Sequence, residues 1–557
     1  MHRWGLSRPG GRFRKRGKGG LVTRENPAWW LTAVVYCVNV KTYQDSDGDG
    51  IGDLPGLTSR LDYISELGVN CLWLQPLFPS PWHDDGYDIS DYTSIDPRLG
   101  TLSDFDELIR AAAGRGIRIL LDMTVNHTST AHTWFQQARS DPASPYREWY
   151  VFERRRPGWP QHLEFPEESS ENWTWDDHAR AYYLHRYYPA QADLRFAHPP
   201  VRQALLAAMR FWLSRGVAGF RWDTVPWLIE TSQALGAVGD PWEWFADLCD
   251  DVRREHGEAV LLLGEVNGKA DDQIRYFGVG RRLLDMLINF DLNRTTWLAL
   301  ARRHPGPLYT ALARLRRPLP DSQWANFLRN HDELNIDGLT EAERADFFER
   351  FPPDGDGPIY GRGIRRRVPP LLGTRRRVQS AYSLLFALPG TPMLLYGEEI
   401  GMGDNLALPM RFSVRTPMQW TSGHNAGFSN APVGQLVRPL VTDPKYAHAA
   451  INVADQARDP DSLLRWFQRL IAVRHACPEL GIGEYQPLPG LASGVLAFSV
   501  WSGGRAVLCL HNLADTPAKV TLDEPMQEVW SDQPYPPARS ARTWLLAGDG
   551  YRWLRAL

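Results

Sequence analysis

The segment Gly219–Asp223 combines one cation and one carboxylate with two large aromatic residues. A period of two places Arg221 and Asp223 on one face of a strand, and Phe220 and Trp222 on the other. An arginine at this spacing favours the charged form of the carboxylate. An ionised carboxylate at a strand end suits nucleophilic attack on carbon. Taken alone, the pair is also compatible with a buried structural ion pair.

Two more acids, Glu265 and Asp332, follow apolar segments in the same way. The run 261–264 gives Glu265 apolar surroundings, which raise the pKa of a carboxyl group and keep it protonated near neutrality. Cleavage of an acetal needs one carboxylate to attack or stabilise the sugar carbon and one acid to protonate the departing oxygen. We therefore expect Asp223 to act on the carbon, Glu265 to supply the proton, and Asp332 to hold sugar hydroxyls.

Eight segments read as strands, with helical segments between most of them, and these elements must position the acids. They are centred on Val34, Cys71, Ile119, Phe220, Leu262, Leu287, Phe327 and Leu394. Eight such repeats predict an α/β fold, a (β/α)8 TIM barrel whose active site lies at the C-terminal ends of its strands. We assign 27–128 and 196–480 to the barrel and 129–195 to a domain inserted after the third strand. Residues 481–557 are predicted to form a C-terminal antiparallel β-sandwich.

Composition narrows the class of protein. The chain has 557 residues, too many for one compact core, and its net charge of −3 gives no indication of a nucleic-acid partner. No apolar stretch reaches the roughly 18 residues of a membrane span. Seven Arg or Lys and no acid among residues 1–20 predict a disordered basic tail at 1–26. The sequence leaves homo-oligomer formation open.

The cysteines are five in number and scattered along the chain: Cys37, Cys71, Cys249, Cys477 and Cys509. An odd number without metal-binding spacing indicates reduced thiols, and hence a cytoplasmic location.

Residues 45–53 place acids at every second position around glycines. Such an oxygen-rich loop suits a hard cation. The twelfth position is Gly56 rather than Glu, so the loop is not an EF-hand. We predict a Ca²⁺ site, and the alternative is an ordinary solvated turn. The predicted ligands are Asp45, Asp47, Asp49, the carbonyl of Ile51, and Asp53.

Four motifs at the predicted strand ends occur together, at 122–127, 219–223, 264–267 and 329–332. With them, the chain resembles the α-amylase family of glycoside hydrolases, family 13, over about residues 27–557. The resemblance implies retention of configuration through a covalent glucosyl–enzyme. It makes Asp223 the nucleophile, Glu265 the acid/base and Asp332 the stabiliser of the transition state. The implied glucose-binding residues are Asp84, Tyr87, His127, Arg221, His331 and Arg415.

Within the family, the stretches 80–88, 172–176, 327–334, 397–405 and 414–420 look most like the trehalose synthase branch. That branch interconverts maltose and trehalose by turning the freed glucose inside a closed pocket. The resemblance also implies a second Ca²⁺ site. Its matching positions are Asn126, Asp193, the carbonyls of Trp227 and Leu228, and Glu230.

Three stretches depart from the branch pattern, at 231–234, 264–269 and 409–415. We expect all three to lie around the side of the cleft that receives the glucosyl group. The bond-breaking chemistry is therefore better defined than the acceptor. An α-glucosidase or trehalase that hydrolyses small α-glucosides is the alternative, followed by transfer to another small acceptor. A non-catalytic sugar-binding protein would normally have lost one of the three acids, and this chain retains all three.

Overall fold

The structure is a computed structural model, and it describes residues 28–160, 163–268, 270–278, 280–536 and 542–556. The basic tail predicted at 1–26 lies outside these residues.

Eight parallel strands form a closed barrel in which each strand pairs with the next along the chain, and the eighth pairs with the first. The strands are β1 (Val35–Val38), β2 (Cys71–Leu74), β3 (Arg118–Thr124), β4 (Gly219–Asp223), β5 (Leu261–Gly264), β6 (Met286–Ile288), β7 (Gln323–Asn326) and β8 (Thr391–Leu395). The predicted barrel is confirmed.

One strand lies earlier than the sequence predicts. The apolar segment 325–328 reads as the seventh strand, but β7 ends at Asn326. The side chain of Asn293 donates to the carbonyls of Phe327 and Leu328, at 2.7 and 3.1 Å. Because these carbonyls are taken by a helix side chain, the backbone leaves the β-ladder while its side chains stay buried.

Helices connect the strands and pack around the barrel. The principal ones are Leu54–Ser59, Leu61–Leu67, Leu102–Ala113, Pro199–Leu213, Pro226–Ala234, Pro241–His256, Phe290–Arg302, Gly306–Arg314, Arg375–Ala387 and Leu463–Ala476. The sequence pattern of 57–67 predicts one helix, but the structure has two helices that meet at Arg60. The first begins early because the Asp53 side chain accepts a hydrogen bond from the Gly56 amide and caps it.

The segment between β3 and β4 carries two small antiparallel sheets. His127–Ser129 pairs with Gln191–Asp193 directly above the barrel. Phe152–Glu153, Ala181–Leu184 and Trp173–Asp176 form a three-stranded sheet farther out. The buried side chain of Phe165 lies in one apolar cluster with Ile359 and Tyr360 from the long connection after β7. The two excursions from the barrel therefore meet each other over its C-terminal end.

The C-terminal part is a β-sandwich, as predicted. One sheet contains Glu484–Pro487, Val495–Ser502, Arg505–Asn512, Tyr551–Ala556 and Met526–Ser531, in that order. Ala518–Thr521 and Thr543–Leu546 form the second sheet, and Val520, Trp544 and Leu546 pack with Val495 and Leu508 between the two. No helix within the described ranges has both the length and the apolar character needed to cross a membrane.

Candidate active site

Arg221 is the centre of the site. It extends from the middle of β4, where it is paired with Asp122 on β3 and Leu263 on β5, and it is 1% exposed. Its Nη1 donates to Asp122 Oδ1 at 2.8 Å and to Asp223 Oδ1 at 2.6 Å, and its Nη2 donates to Glu265 Oε2. One guanidinium thus gathers carboxylates from three neighbouring strand ends.

The alternation within β4 separates this polar face from a packed one. Trp222 points the other way and contacts Phe245, with ring centroids 5.8 Å apart. A Cβ atom at Gly219 would lie 2.1 Å from the Leu261 carbonyl oxygen, so only glycine allows β4 and β5 to approach this closely. The sequence places Arg221 and Asp223 on one face because of this strand geometry.

The carboxylates around Arg221 differ in their surroundings. Asp122 is fully buried and accepts from Trp73 Nε1 at 3.0 Å and from the Tyr87 hydroxyl at 2.8 Å. Burial raises the pKa of Asp122 to about 6. The side chains of Asp223 and Glu265 are 10% and 17% exposed, because both face a cavity. Burial raises the pKa of Glu265 well above its usual value; the positive charge of Arg221 opposes the shift and nearby Asp223 adds to it.

Asp332 lies on the same cavity among cations. Its Oδ2 is 3.1 Å from His331 Nε2, and its Oδ1 accepts from Arg415 Nη2 at 2.8 Å and from Arg411 Nη1. Burial by itself raises the pKa of Asp332, but interactions with His331, Arg411 and Arg415 outweigh burial and hold the pKa well below its ordinary value. Asp332 is therefore an ionised acceptor.

The loop after β2 supplies two further carboxylates. Asp84 accepts from Arg411 Nη2 at 2.9 Å and from Gln191 Nε2 at 3.0 Å, and burial raises its pKa to about 7. Its neighbour Asp85 lies behind the cavity wall and accepts from Arg415 Nη1 at 2.9 Å and from Lys41 Nζ. Together they hold the two arginines that contact Asp332.

Tyr87 links the two histidines of the site. Its hydroxyl lies 2.7 Å from His331 Nε2, and the two rings stack with centroids 5.6 Å apart. His127 Nε2 lies 3.2 Å from the Tyr87 carbonyl oxygen. Burial lowers the pKa of both histidines, that of His331 to about 3. Both rings are neutral near neutrality and serve as hydrogen-bonding groups.

The three acids Asp223, Glu265 and Asp332 face one cavity of about 380 Å³. Residues from two sides of the barrel mouth line it. One set comprises Asp84, Tyr87, His127 and Arg411, and the other comprises Asn267, Phe290, Arg294, Asn335, Asp337 and Gly338. Of the glucose-binding residues implied by the sequence, Asp84, Tyr87 and His127 line the cavity, whereas Arg221, His331 and Arg415 lie behind its wall and orient the acids.

The sequence does not predict Arg411 as a site residue. The stretch 409–415 is expected on the acceptor side of the cleft, but Arg411 pairs with Asp84, one of the implied glucose-binding residues. Arg411 stands within the departing stretch 409–415, which attracted attention for its differences rather than for its arginine. In the structure, Arg411 bridges Asp84 and Asp332, and its guanidinium lies 4.4 Å from the ring centroid of Phe165 in the inserted segment. Asp85 and Asp122 were also missed as partners of the site arginines.

The predicted Ca²⁺ loop gathers part of its ligand set. Asp45, Asp47 and Asp49 each place a carboxylate oxygen within 4.8 Å of the others, and Asp45 is buried. This donor set fits a hard cation. Asp53 has other partners, since it accepts from Ser46 and caps the following helix through the Gly56 amide.

A positively charged side chain, that of Arg186, lies within the second predicted set of Ca²⁺ ligands. Asn126 Nδ2 donates to Asp193 Oδ1 at 3.3 Å, but Arg186 Nε lies 3.8 Å from Asp193 Oδ2. The Arg186 guanidinium stacks 4.2 Å from the Trp227 ring centroid. The Leu228 carbonyl accepts from the Ser232 hydroxyl, and Glu230 lines the cavity. A buried guanidinium beside Asp193 makes this set a poorer match for a divalent ion than the first.

Comparison with known proteins identifies the family. The sequence-family model of the α-amylase catalytic domain matches residues 38–349 and 365–483. These ranges include the barrel strands β2 to β8. The chain belongs to the α-amylase family.

Several family members resemble the chain over most of its length. The trehalose synthase of Thermus thermophilus is 40% identical over 536 residues, covering 94% of this chain and 55% of that protein. The trehalose synthase of Pimelobacter sp. is 37% identical over 558 residues, covering 96% of this chain and 97% of that protein. An α-glucosidase of Pediococcus pentosaceus is 33% identical over 525 residues, covering 83% of this chain and 87% of that protein. The chain thus spans little more than half of the Thermus protein but nearly all of the Pimelobacter one.

Solved structures in the family share the same architecture. The α-amylase of H. orenii has a TM-score of 0.77 and 26% identity, covering 95% of this chain and all (100%) of that one. The trehalulose synthase MutB of Pseudomonas mesoacidophila also has a TM-score of 0.77 and 26% identity, covering 96% of this chain and 100% of that one.

Proposed function

We propose that this α-amylase family member is a retaining α-glucosyl-transferring enzyme that interconverts maltose and trehalose. The observation that carries the proposal is the convergence of Asp223, Glu265 and Asp332 on one cavity, with Arg221 bridging the first two. Similarity to two trehalose synthases over almost the whole chain supports the choice of substrate.

The spacing of the first two acids supports retention of configuration. Asp223 and Glu265 each contact one terminal nitrogen of the same guanidinium, so the width of one planar group limits their separation. Retaining glycosidases hold their two carboxyl groups about 5–5.5 Å apart, whereas inverting enzymes need room for a water molecule between them. Two carboxylates that share one guanidinium lie close together, which favours the shorter spacing of a retaining enzyme.

In the first half of the reaction, an Asp223 carboxylate oxygen attacks C1 of the transferred glucose. Glu265 gives its proton to the glycosidic oxygen, and the C1–O bond breaks to release the second glucose. Burial keeps Glu265 protonated for this step. Asp332, ionised between Arg411 and Arg415, accepts hydrogen bonds from sugar hydroxyls and stabilises the oxocarbenium-like transition state.

In the second half, a hydroxyl of the retained glucose attacks C1 of the glucosyl–Asp223 ester, and the C1–O bond to Asp223 breaks to restore the carboxylate. Glu265, now a carboxylate, takes the proton of that hydroxyl. Attack by the anomeric hydroxyl gives trehalose, and attack by the 4-hydroxyl restores maltose. We call the set Asp84, Tyr87, His127 and Arg411 the glucose end of the cavity, and the set Asn267, Arg294 and Gly338 the acceptor end.

The decisive experiment incubates the enzyme with maltose and, separately, with trehalose, and separates the products by chromatography. We expect each disaccharide to yield the other with minor glucose. Glucose as the sole product from both would reject the isomerase and support the second candidate, an α-glucosidase. The α-glucosidase relative at 33% identity favours that second candidate.

We also propose that Ca²⁺ binds Asp45, Asp47 and Asp49, with the Ile51 carbonyl and Asp53 completing the set. The ion would fix the loop between β1 and the first helix and take no part in bond breaking. The second Ca²⁺ set and the cytoplasmic location stay predictions, the latter supported by five free, buried cysteines among the described residues.

A further inference from the structure

Arg294 is a buried arginine on the cavity wall, and no salt bridge links it to a carboxylate of the described residues. It lies in the helix Phe290–Arg302, which follows β6, and it is 4% exposed. Three arginines line the cavity. Arg411 pairs with Asp84 and Asp332, and Arg362 lies 3.3 Å from Glu333. Within the described ranges, Arg294 forms no ion pair within salt-bridge distance, and burial lowers its pKa.

The neighbours of Arg294 fix its guanidinium and leave one nitrogen available. Nε donates to the Phe290 carbonyl at 3.1 Å, and Nη2 donates to Asn267 Oδ1 at 2.8 Å. Nη1 rests against the backbone of Gly338, where an added Cβ would come within 1.4 Å of it. In the part of the chain that the structure describes, no group accepts a hydrogen bond from Nη1. Because Arg294 lines the cavity, a ligand bound there can supply the acceptor that Nη1 lacks among the described residues.

The position of Arg294 relative to Glu265 suggests which ligand that is. Asn267, the partner of Nη2, comes two residues after Glu265, the residue that faces the glycosidic oxygen. In the proposed reaction, the transferred glucose occupies the side lined by Asp84 and Arg411. The second sugar must therefore lie on the side of Asn267 and Arg294, where Asp337 also lines the wall. Carboxylates so close disfavour a phosphate group and leave a neutral hydroxyl as the suitable acceptor.

We propose that Arg294 is a specificity-determining residue that donates a hydrogen bond from Nη1 to a hydroxyl oxygen of the acceptor glucose. This inference rests on the proposed glucosyl transfer and adds the contact that retains the acceptor. By bridging the loop after β5 and the loop after β7, Arg294 also closes the acceptor end between Asn267 and Gly338. Its loss should release the acceptor and admit water, so that hydrolysis replaces transfer.

The test separates donor chemistry from acceptor binding by using 4-nitrophenyl α-glucoside as donor and glucose as acceptor. Release of 4-nitrophenol without added glucose reports the donor step, and disaccharide formed at increasing glucose reports the acceptor. For Arg294→Met we expect half-saturating glucose to rise about tenfold or more, the loss of one charged hydrogen bond. Phenol released in a single turnover, which precedes both hydrolysis and transfer, should change little. Arg294→Lys keeps a donor and should recover part of the effect.

Arg302→Met is the matched control, because Arg302 lies on the same helix but pairs with Asp346 at the surface. It should leave both readouts unchanged. Half-saturating glucose that stays at the wild-type value in Arg294→Met would overturn the proposal, as would an equal fall of phenol release and transfer. A wild-type enzyme that transfers to glucose but makes no trehalose from maltose would reject the proposed function and leave this test intact.

A second variant disturbs the same contact without removing a polar group. Gly338→Ala places a methyl group where Arg294 Nη1 now lies, and Gly338 has no left-handed backbone angle that would penalise alanine. We expect a rise in half-saturating glucose like that of Arg294→Met. The double variant should be no worse than Arg294→Met alone, since both act through one group. Additive effects would contradict the assigned contact.

Discussion

At the glucose end of the cavity, Asp84 and Asp332 form ion pairs with Arg411, and Arg415 joins Asp332 to Asp85 behind the wall. At the acceptor end, the hydrogen bonds that Arg294 forms within the described ranges go to an amide oxygen and a backbone carbonyl. At the glucose end, ion pairs thus hold the side chains in place before a sugar binds. At the acceptor end, Arg294 keeps one hydrogen-bond donor available for a ligand.

This contrast has a physical rationale. The transferred glucose must keep one position while charge develops at C1, and groups held rigidly in a buried network provide that without reorganisation. The freed glucose must turn within the same cavity, so a few donors suit it better than a rigid cage. The same contrast explains how one bond-breaking apparatus serves enzymes with different acceptors.

The largest effect is expected from a variant that stops the reaction at both the glucose end and the acceptor end. Asp223→Asn removes the attacking carboxylate while keeping the side-chain shape, so we expect the rate of maltose conversion to fall by at least about 10⁴-fold. Arg221 would keep Asp122 and Glu265 as partners, and the melting temperature should change little. Product formation and thermal unfolding measured on one preparation check both statements. Activity near the wild-type rate would refute the assignment of the nucleophile.

Arg411→Met should break the glucose end alone. It leaves two carboxylates, Asp84 and Asp332, without their shared cation, and breaking a buried pair costs about 3–5 kcal/mol. We expect kcat/KM for the aryl glucoside to fall by about 100-fold or more, because Asp332 loses one of its two arginine partners and Asp84 loses its cation.

Arg438→Met is the control for Arg411→Met, because it removes a cation that lies farther from the sugar site. Arg438 contacts Asp85 at 3.3 Å and lies behind the cavity, so its removal takes a cation from the same network without exposing the sugar site. The loss in kcat/KM should be clearly smaller. Equal losses in the two variants would show that total charge, rather than the bridge from Asp84 to Asp332, determines activity.

The two ends also differ in how far the sequence could predict them. Strand β4 follows from its alternation, and its faces separate Arg221 from Trp222 as that period requires. Asp223, Glu265 and Asp332 could be identified because each follows an apolar strand and the barrel brings strand ends together. Such residues carry a local signal, so their convergence is predictable without coordinates.

Arg411 and Arg294 carry no such signal. Arg411 reaches Asp84 across 327 positions of the chain, and Arg294 occupies an ordinary helical position whose partner Asn267 is 27 residues away. Only packing decides which arginine turns into the cavity. The same holds for Arg186, whose approach to Asp193 changes the environment of the second predicted Ca²⁺ set.

The pH dependence sharpens the comparison, because Glu265 lies between the two ends. Burial raises the pKa of Glu265 well above its usual value, so Glu265 keeps its proton to a higher pH than an ordinary carboxyl group and loses it as the pH rises through the raised pKa. For maltose, whose leaving sugar needs the proton, kcat/KM should fall about tenfold per pH unit on the alkaline side. For 4-nitrophenyl α-glucoside, whose leaving group is weakly basic, the fall should be much shallower. Identical alkaline limbs for both substrates would exclude Glu265 as the acid.

Removal of the proposed Ca²⁺ ion should have the smallest effect on turnover and a measurable effect on stability. The loop of Asp45, Asp47 and Asp49 does not line the cavity, but Gly52 donates to the Lys41 carbonyl, and Lys41 contacts Asp85. Chelation should lower the melting temperature by a few degrees, with Ca²⁺ restoring it better than Mg²⁺, because bound ion stabilises only the folded state. Any change in kinetics should appear in the donor step, since Lys41 and Asp85 support the glucose end. A chelated enzyme with weakened glucose binding but an unchanged donor step would contradict this coupling, and an unchanged melting temperature would argue against the ion.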